Sequence, residues 1–138
     1  MSYNQLPIIT QVSSIQEFQQ ILQQNVGLVV LKLGAEWCGP CKRIQKEVEQ
    51  GFNAMPDNVQ KIILDIDDSL ELYTYLKNKK RVNGIPAVLF WKRGNLTDIP
   101  DDVVLGADTA QIIAFFRRAI VKANQMAAFD AHYLTSQL

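Results

Sequence analysis

The sequence is short of the residues from which metal centres and disulfide frameworks are built. Its 138 residues hold two cysteines and one histidine. Two cysteines do not staple a chain of this length, so an ordinary apolar core must hold it together. A structural zinc site takes four protein ligands, and His132 stands far from both cysteines along the chain. An excess of one charge is missing too. The 14 basic and 14 acidic side chains cancel, leaving neither a basic surplus for nucleic acid nor an acidic tail. No apolar run approaches the length of a bilayer span. The opening Met-Ser-Tyr-Asn-Gln-Leu-Pro lacks the positive and apolar regions of a secretory signal. Repeats and low-complexity tracts are absent. These absences imply one soluble domain in a reducing compartment, most simply the cytosol, with neither nucleic acid nor membrane as partner.

What is present concentrates between Val29 and Gln45. An apolar run reads as a buried strand and breaks at Gly34-Ala35-Glu36. Trp37-Cys38-Gly39-Pro40-Cys41 then leads into a helical pattern at Lys42-Arg43-Ile44-Gln45. A Cys-x-x-Cys between a strand and a helix start is a redox motif with a mechanism. The unpaired N–H groups and partial positive charge of the helix start stabilise a thiolate, the species that attacks a disulfide. Cys38 is the expected nucleophile and Cys41, one turn in, the expected resolving thiol. The competing readings are half a zinc site and two inert buried thiols.

The rest of the chain supplies the frame. Residues 1–7 read as a loose lead-in, and Ile8, Ile9 and Val12 as a short strand. Ser14 with Glu17 resembles a capping box ahead of a helix over 14–24. Strands are expected at Leu28–Leu33, Val59–Ile66, Ala87–Trp91 and Val103–Leu105. Helices are expected from Pro40 to Gly51, from Leu70 to Lys79, and after Asp108. Lys92-Arg93-Gly94-Asn95 reads as a hairpin turn. Asn78-Lys79-Lys80-Arg81 reads as a solvated basic helix end. The order is that of an α/β fold, a mixed sheet flanked by helices (β-α-β-α-β-β-α).

Trp37 to Cys41, with Ala35-Glu36 before and Lys42 after, resembles the active site of the thioredoxin family. Gly84-Ile85-Pro86 resembles that family's cis-proline loop, and Gly106-Ala107 its later glycine turn. The resemblance implies a thioredoxin-like domain over 1–121 that reduces protein disulfides through a Cys38/Cys41 dithiol–disulfide cycle. It implies no bound metal or organic cofactor, and a thioredoxin-reductase-type donor to reduce the Cys38–Cys41 disulfide. It further implies a cis Ile85–Pro86 bond and a substrate groove of Trp37, Gly39, Pro40, Gly84, Ile85, Pro86, Gly106 and Ala107. Gly-Pro between the cysteines accompanies reducing members. The same residues at a higher potential would make an oxidase or isomerase. A third reading is an adaptor in which the cysteines are secondary.

Three features depart from the family pattern. Lys32 occupies the position of a buried Asp that is thought to assist the resolving thiol. An ion pair with Asp65 would compensate it, or it would snorkel outward, and both residues are expected to modulate the site. Lys46 replaces a helix-kinking proline, so a straighter helix is expected. The hairpin before Gly106 carries about four extra residues around Ile99-Pro100-Asp101-Asp102, read as a neutral insertion away from the cysteines. Residues 122–138 lie beyond the minimal fold. Met126, Phe129, Tyr133 and Leu134 recur at helical spacing, which suggests a helical extension that packs back, supports a weak homodimer, or is partly disordered.

Overall fold

A strand apolar at every position but one belongs inside a sheet, where both faces are covered. In the computed structural model, which describes residues 6–138, β1 (Leu28–Gly34) takes that place. It pairs in parallel with β2 (Val59–Asp65) and antiparallel with β3 (Ala87–Lys92), and β3 pairs antiparallel with β4 (Asp102–Leu105). The sheet order is β2-β1-β3-β4. Alternation along β1 divides the core in two. Val29, Leu31 and Leu33 meet Phe18 and Leu22 of α1 (Ile15–Gln23) and Leu72 and Leu76 of α4 (Leu70–Asn78). Leu28 and Val30 face the opposite layer, with Val48 and Phe52 of α3 (Gln45–Asn53) and Phe115 and Phe116 of α5 (Thr109–Ser136). Gly51 permits the close crossing of α3 and α5, because a Cβ there would run into the Phe116 ring.

Ser14 caps α1 by accepting from Glu17 N at 3.0 Å, while the Glu17 carboxylate reaches past the cap to accept from Ser13 N at 2.9 Å. The strand expected at Ile8, Ile9 and Val12 shrinks to a single bridge between Ile9 and Ile62. Val12 N donates instead to Ser69 Oγ at 3.0 Å, which takes it out of any ladder. The lead-in expected over 1–7 falls mostly outside the described residues. The basic helix end is partly engaged: Lys77 and Lys79 lie over the rings of Tyr73 and Tyr75, and Arg81 pairs with Asp98 at 2.7 Å.

Two expectations need correction. The helix after the cysteines is not straight. It breaks at Ile44 (φ −106°, ψ 8°) between α2 (Gly39–Arg43) and α3, although Lys46 stands where a kinking proline would. The cause is packing: the cysteines join the core on one side of the sheet, and Ile44, Val48 and Phe52 join the other. The long hairpin is not a neutral insertion. Gly94 (φ +92°) forms the turn, and Asn95 N donates to Lys92 O at 3.0 Å. The loop then returns so that Thr97 O accepts from the indole of the fully buried Trp91 at 3.0 Å.

α5 runs unbroken past residue 121 to Ser136. Ala123 is its last buried side chain among the described residues. Asn58 Nδ2 donates to Ala123 O at 2.9 Å, and Arg93 pairs with Asp130 at 2.9 Å. Phe129, Tyr133 and Leu134 remain exposed. No helix among the described residues is long and apolar enough to cross a membrane.

Candidate active site

The Cys-x-x-Cys sits where β1 ends. After Gly34 the chain turns, Cys38 N donates to Ala35 O at 3.1 Å, and Cys38 becomes the N-cap of α2. Its Sγ accepts from Cys41 N at 3.2 Å, so the sulfur takes the capping place usually held by a hydroxyl or carboxylate. Gly39 and Pro40 follow as an exposed pair, with Pro40 in the first turn, where a missing N–H costs nothing. Cys38 and Cys41 form a disulfide across a Cα–Cα distance of 5.3 Å, and each is only 4% exposed. α2 is five residues long, so any stabilisation of a thiolate on Cys38 comes chiefly from its first N–H groups.

Trp37 is 66% exposed and stands beside the cysteines, its indole N–H donating to Asp67 Oδ2 at 2.8 Å. Asp67 therefore fixes the ring, a role not visible in the sequence, where Asp67-Asp68-Ser69 reads only as a helix start. The Ile85–Pro86 bond is cis, and Pro86 is buried. Gly106 N donates to Pro86 O at 2.9 Å, which ties the Gly84-Ile85-Pro86 loop to the Gly106-Ala107 turn. Gly106 adopts φ +88°, a conformation that favours glycine. Ile85 and Ala87 pack with both cysteines in one apolar cluster. Gly84, Ile85, Gly106 and Ala107 are half-buried, with part of their surface left open.

A family profile described as thioredoxin matches residues 9–118. The chain belongs to the thioredoxin family. Thioredoxin-1 of Schizosaccharomyces pombe is 32% identical over 117 residues, covering 85% of this chain and 99% of that protein. Mitochondrial thioredoxin-3 of Saccharomyces cerevisiae is 32% identical over 88 residues, and this chain spans 65% of its length. The solved structure of Malassezia sympodialis thioredoxin superposes with a TM-score of 0.60 at 26% identity, covering 86% of this chain and 98% of that one. The thioredoxin-family chain is thus a thiol–disulfide oxidoreductase of the protein-disulfide reductase kind, with a Cys38–Cys41 pair at its site.

Behind Cys41 this family member has a cavity of about 450 Å³ lined in part by Lys32, Glu49, Lys61 and Asp65. Lys32 is half-buried on the face of the sheet covered by α3. The Lys32–Asp65 ion pair, one of the two arrangements expected for this lysine, is not formed. Asp65 is already engaged by backbone: Oδ2 accepts from Glu36 N at 3.0 Å and Oδ1 from Asp67 N at 2.9 Å. Burial pulls the Lys32 ammonium below the ordinary lysine value, against the opposite pull of the Asp65 and Glu49 carboxylates. Below its folded pKa the lysine is charged both folded and unfolded, so the fold bears the whole cost of its burial. As pH rises past the unfolded value of 10.5, Lys32 is neutral in both states and that cost disappears. Replacement of Lys32 by Met should therefore stabilise the oxidised protein at neutral pH, by no more than about 1 kcal/mol because the half-buried ammonium is partly screened by solvent. The gain should shrink toward zero above the unfolded lysine pKa. Paired urea titrations of both proteins across that range check it; a gain that grows with pH would contradict the assignment.

Proposed function

We propose that this protein reduces disulfides in other proteins with Cys38 as the attacking thiolate and Cys41 as the resolving thiol. The observation that carries the assignment is the position of the two sulfurs. Cys38 caps α2 with its Sγ toward the Cys41 N–H, while Cys41 lies one turn further into the helix and lines the cavity behind it. A thiolate on Cys38 would attack a substrate sulfur and form a mixed disulfide. Cys41 would then attack Cys38 Sγ, restoring the intramolecular disulfide and releasing the substrate thiol. Trp37, Gly39, Pro40 and the Gly84–Pro86 and Gly106–Ala107 segments supply the surface on which an extended polypeptide would lie. The cycle needs no bound cofactor; a thioredoxin-reductase-type donor returns the disulfide to the dithiol. The working compartment is a reducing one, the cytosol in the simplest case. The working species is the monomer, with weak pairing through the exposed stripe of α5 as the alternative that sedimentation would reveal.

Exchange of Cys41 for Ser tests the roles. It should leave Cys38 able to attack and unable to be released, so that substrates accumulate as dithiothreitol-sensitive mixed disulfides. The Cys38→Ser protein should trap none. Equal trapping by both variants, or trapping by the second alone, would overturn the assignment.

A further inference from the structure

Lys32 is an ammonium without a partner of its own. The described residues place no carboxylate within ion-pair distance of it. Asp65 spends its oxygens on the backbone N–H groups of Glu36 and Asp67, and Glu49 Oε1 accepts from Gln45 Nε2 at 3.0 Å. The lysine nevertheless stays half-buried. A Cβ built on Gly34 would lie 2.8 Å from Lys32 Nζ and 3.5 Å from Cys41 Sγ. Nitrogen and sulfur therefore both border the space beside Gly34, which the absence of a side chain there keeps open. Other charged groups around this cavity come from four elements: Glu36 from the loop after β1, Lys42 from α2, Glu49 from α3, and Lys61 and Asp65 from β2. Three carboxylates thus face two further ammonium groups. Of all these, the group shown to border the space beside Gly34 with the sulfur is Lys32 Nζ.

We propose that Lys32 is the electrostatic partner of the resolving thiol, stabilising the Cys41 thiolate and setting the pH at which that thiol can act. The inference rests on the assignment of Cys41 as the resolver. In the oxidised protein Cys41 carries no charge and the half-buried ammonium is only partly compensated, by Asp65 and Glu49, in keeping with the direction in which burial moves Lys32. In the mixed disulfide Cys41 is a free thiol, and its deprotonation supplies a further anion. The Cys41 S–H proton passes to solvent, and the thiolate electron pair forms the new bond to Cys38 Sγ. The bond between Cys38 and the substrate sulfur breaks, and that sulfur leaves with the electron pair and takes a proton from solvent. Over the cycle the protein dithiol is oxidised by two electrons and the substrate disulfide is reduced by two. Lys32 keeps its proton throughout and acts only through its charge.

The test reads Cys41 directly. In the full chain carrying Cys38→Ser, Cys41 is the only thiol, and its ionisation is followed by the ultraviolet absorbance of the thiolate. Addition of Lys32→Met, which keeps an unbranched apolar stem and removes the charge, should raise the midpoint by about 1 or more, the usual effect of removing a nearby opposite charge. At a pH below both midpoints this is about a tenfold loss of thiolate. Lys32→Arg, which retains the charge, should hold the midpoint near that of the lysine protein. A midpoint that Lys32→Met leaves unchanged or lowers would overturn the proposal. So would a folded Lys32→Arg protein that titrates like the methionine one. A merely structural role for Lys32 would not move this titration. Since Cys38 is absent, the result does not depend on which sulfur attacks first, so failure here is distinct from failure of the trapping experiment.

Discussion

Exchange of Cys38 for Ser is expected to lower the turnover of a protein disulfide at least about a thousandfold, as removal of an enzymatic nucleophile does. The loss follows from the chemistry of the two sulfurs. A hydroxyl forms no disulfide, so the serine cannot make the mixed disulfide with which the cycle begins. The fold should survive, because serine is a favoured N-cap and can accept from Cys41 N as the cysteine sulfur does. The measurement is insulin reduction with dithiothreitol as electron source, alongside thermal unfolding to confirm the fold. A folded variant that retains more than a tenth of the activity would contradict the mechanism. A folded, inactive variant that keeps its physiological effect would favour the adaptor reading.

The second large effect concerns the frame. Replacement of Trp91 by Ala should destabilise the oxidised protein by about 3–5 kcal/mol. Trp91 is fully buried on β3, meets Phe18 edge-on with ring centroids 5.0 Å apart, and donates its indole N–H to Thr97 O. The substitution would leave a cavity between α1 and the sheet and take away the donor that holds the hairpin loop. Domains of this size are stable by only about 5–15 kcal/mol, so such a loss would bring the protein close to unfolding. Trp91→Phe should cost less, since it keeps much of the volume and loses chiefly the N–H. Urea denaturation of all three proteins checks the order; a loss under about 1 kcal/mol for the alanine variant would mean the site collapses without penalty.

Much of this architecture was legible in the residues. The apolar run of β1, the period of α1 and the Gly94 turn are local signals, and local signals place elements well. Cys38, Gly39, Pro40 and Cys41 announce a redox motif by their spacing, and the resemblance at Gly84-Ile85-Pro86 anticipated the cis bond. What escaped depends on contacts between distant segments. The break at Ile44 comes from sharing a helix between two cores, which no single period encodes. The tie from Thr97 to Trp91 gives the hairpin loop a structural purpose that its composition hides. Asp67 meets Trp37 only because β2 lies beside β1. Asp65 stands on the strand beside Lys32, but both its oxygens are committed to backbone N–H groups. Lys32 itself was visible as an anomaly, and its relation to Cys41 becomes apparent only with Gly34 between them.

The reduction potential of the Cys38–Cys41 pair, measured by equilibration of the full chain against glutathione or a reference dithiol, tests the central claim most directly. A protein-disulfide reductase should lie on the reducing side of about −220 mV, toward the known value of about −270 mV for thioredoxin. A charge on Lys32 that favours the Cys41 thiolate would place it at the less negative end of that interval. A potential between about −120 and −180 mV, where disulfide oxidases and isomerases work, would contradict the reductase account.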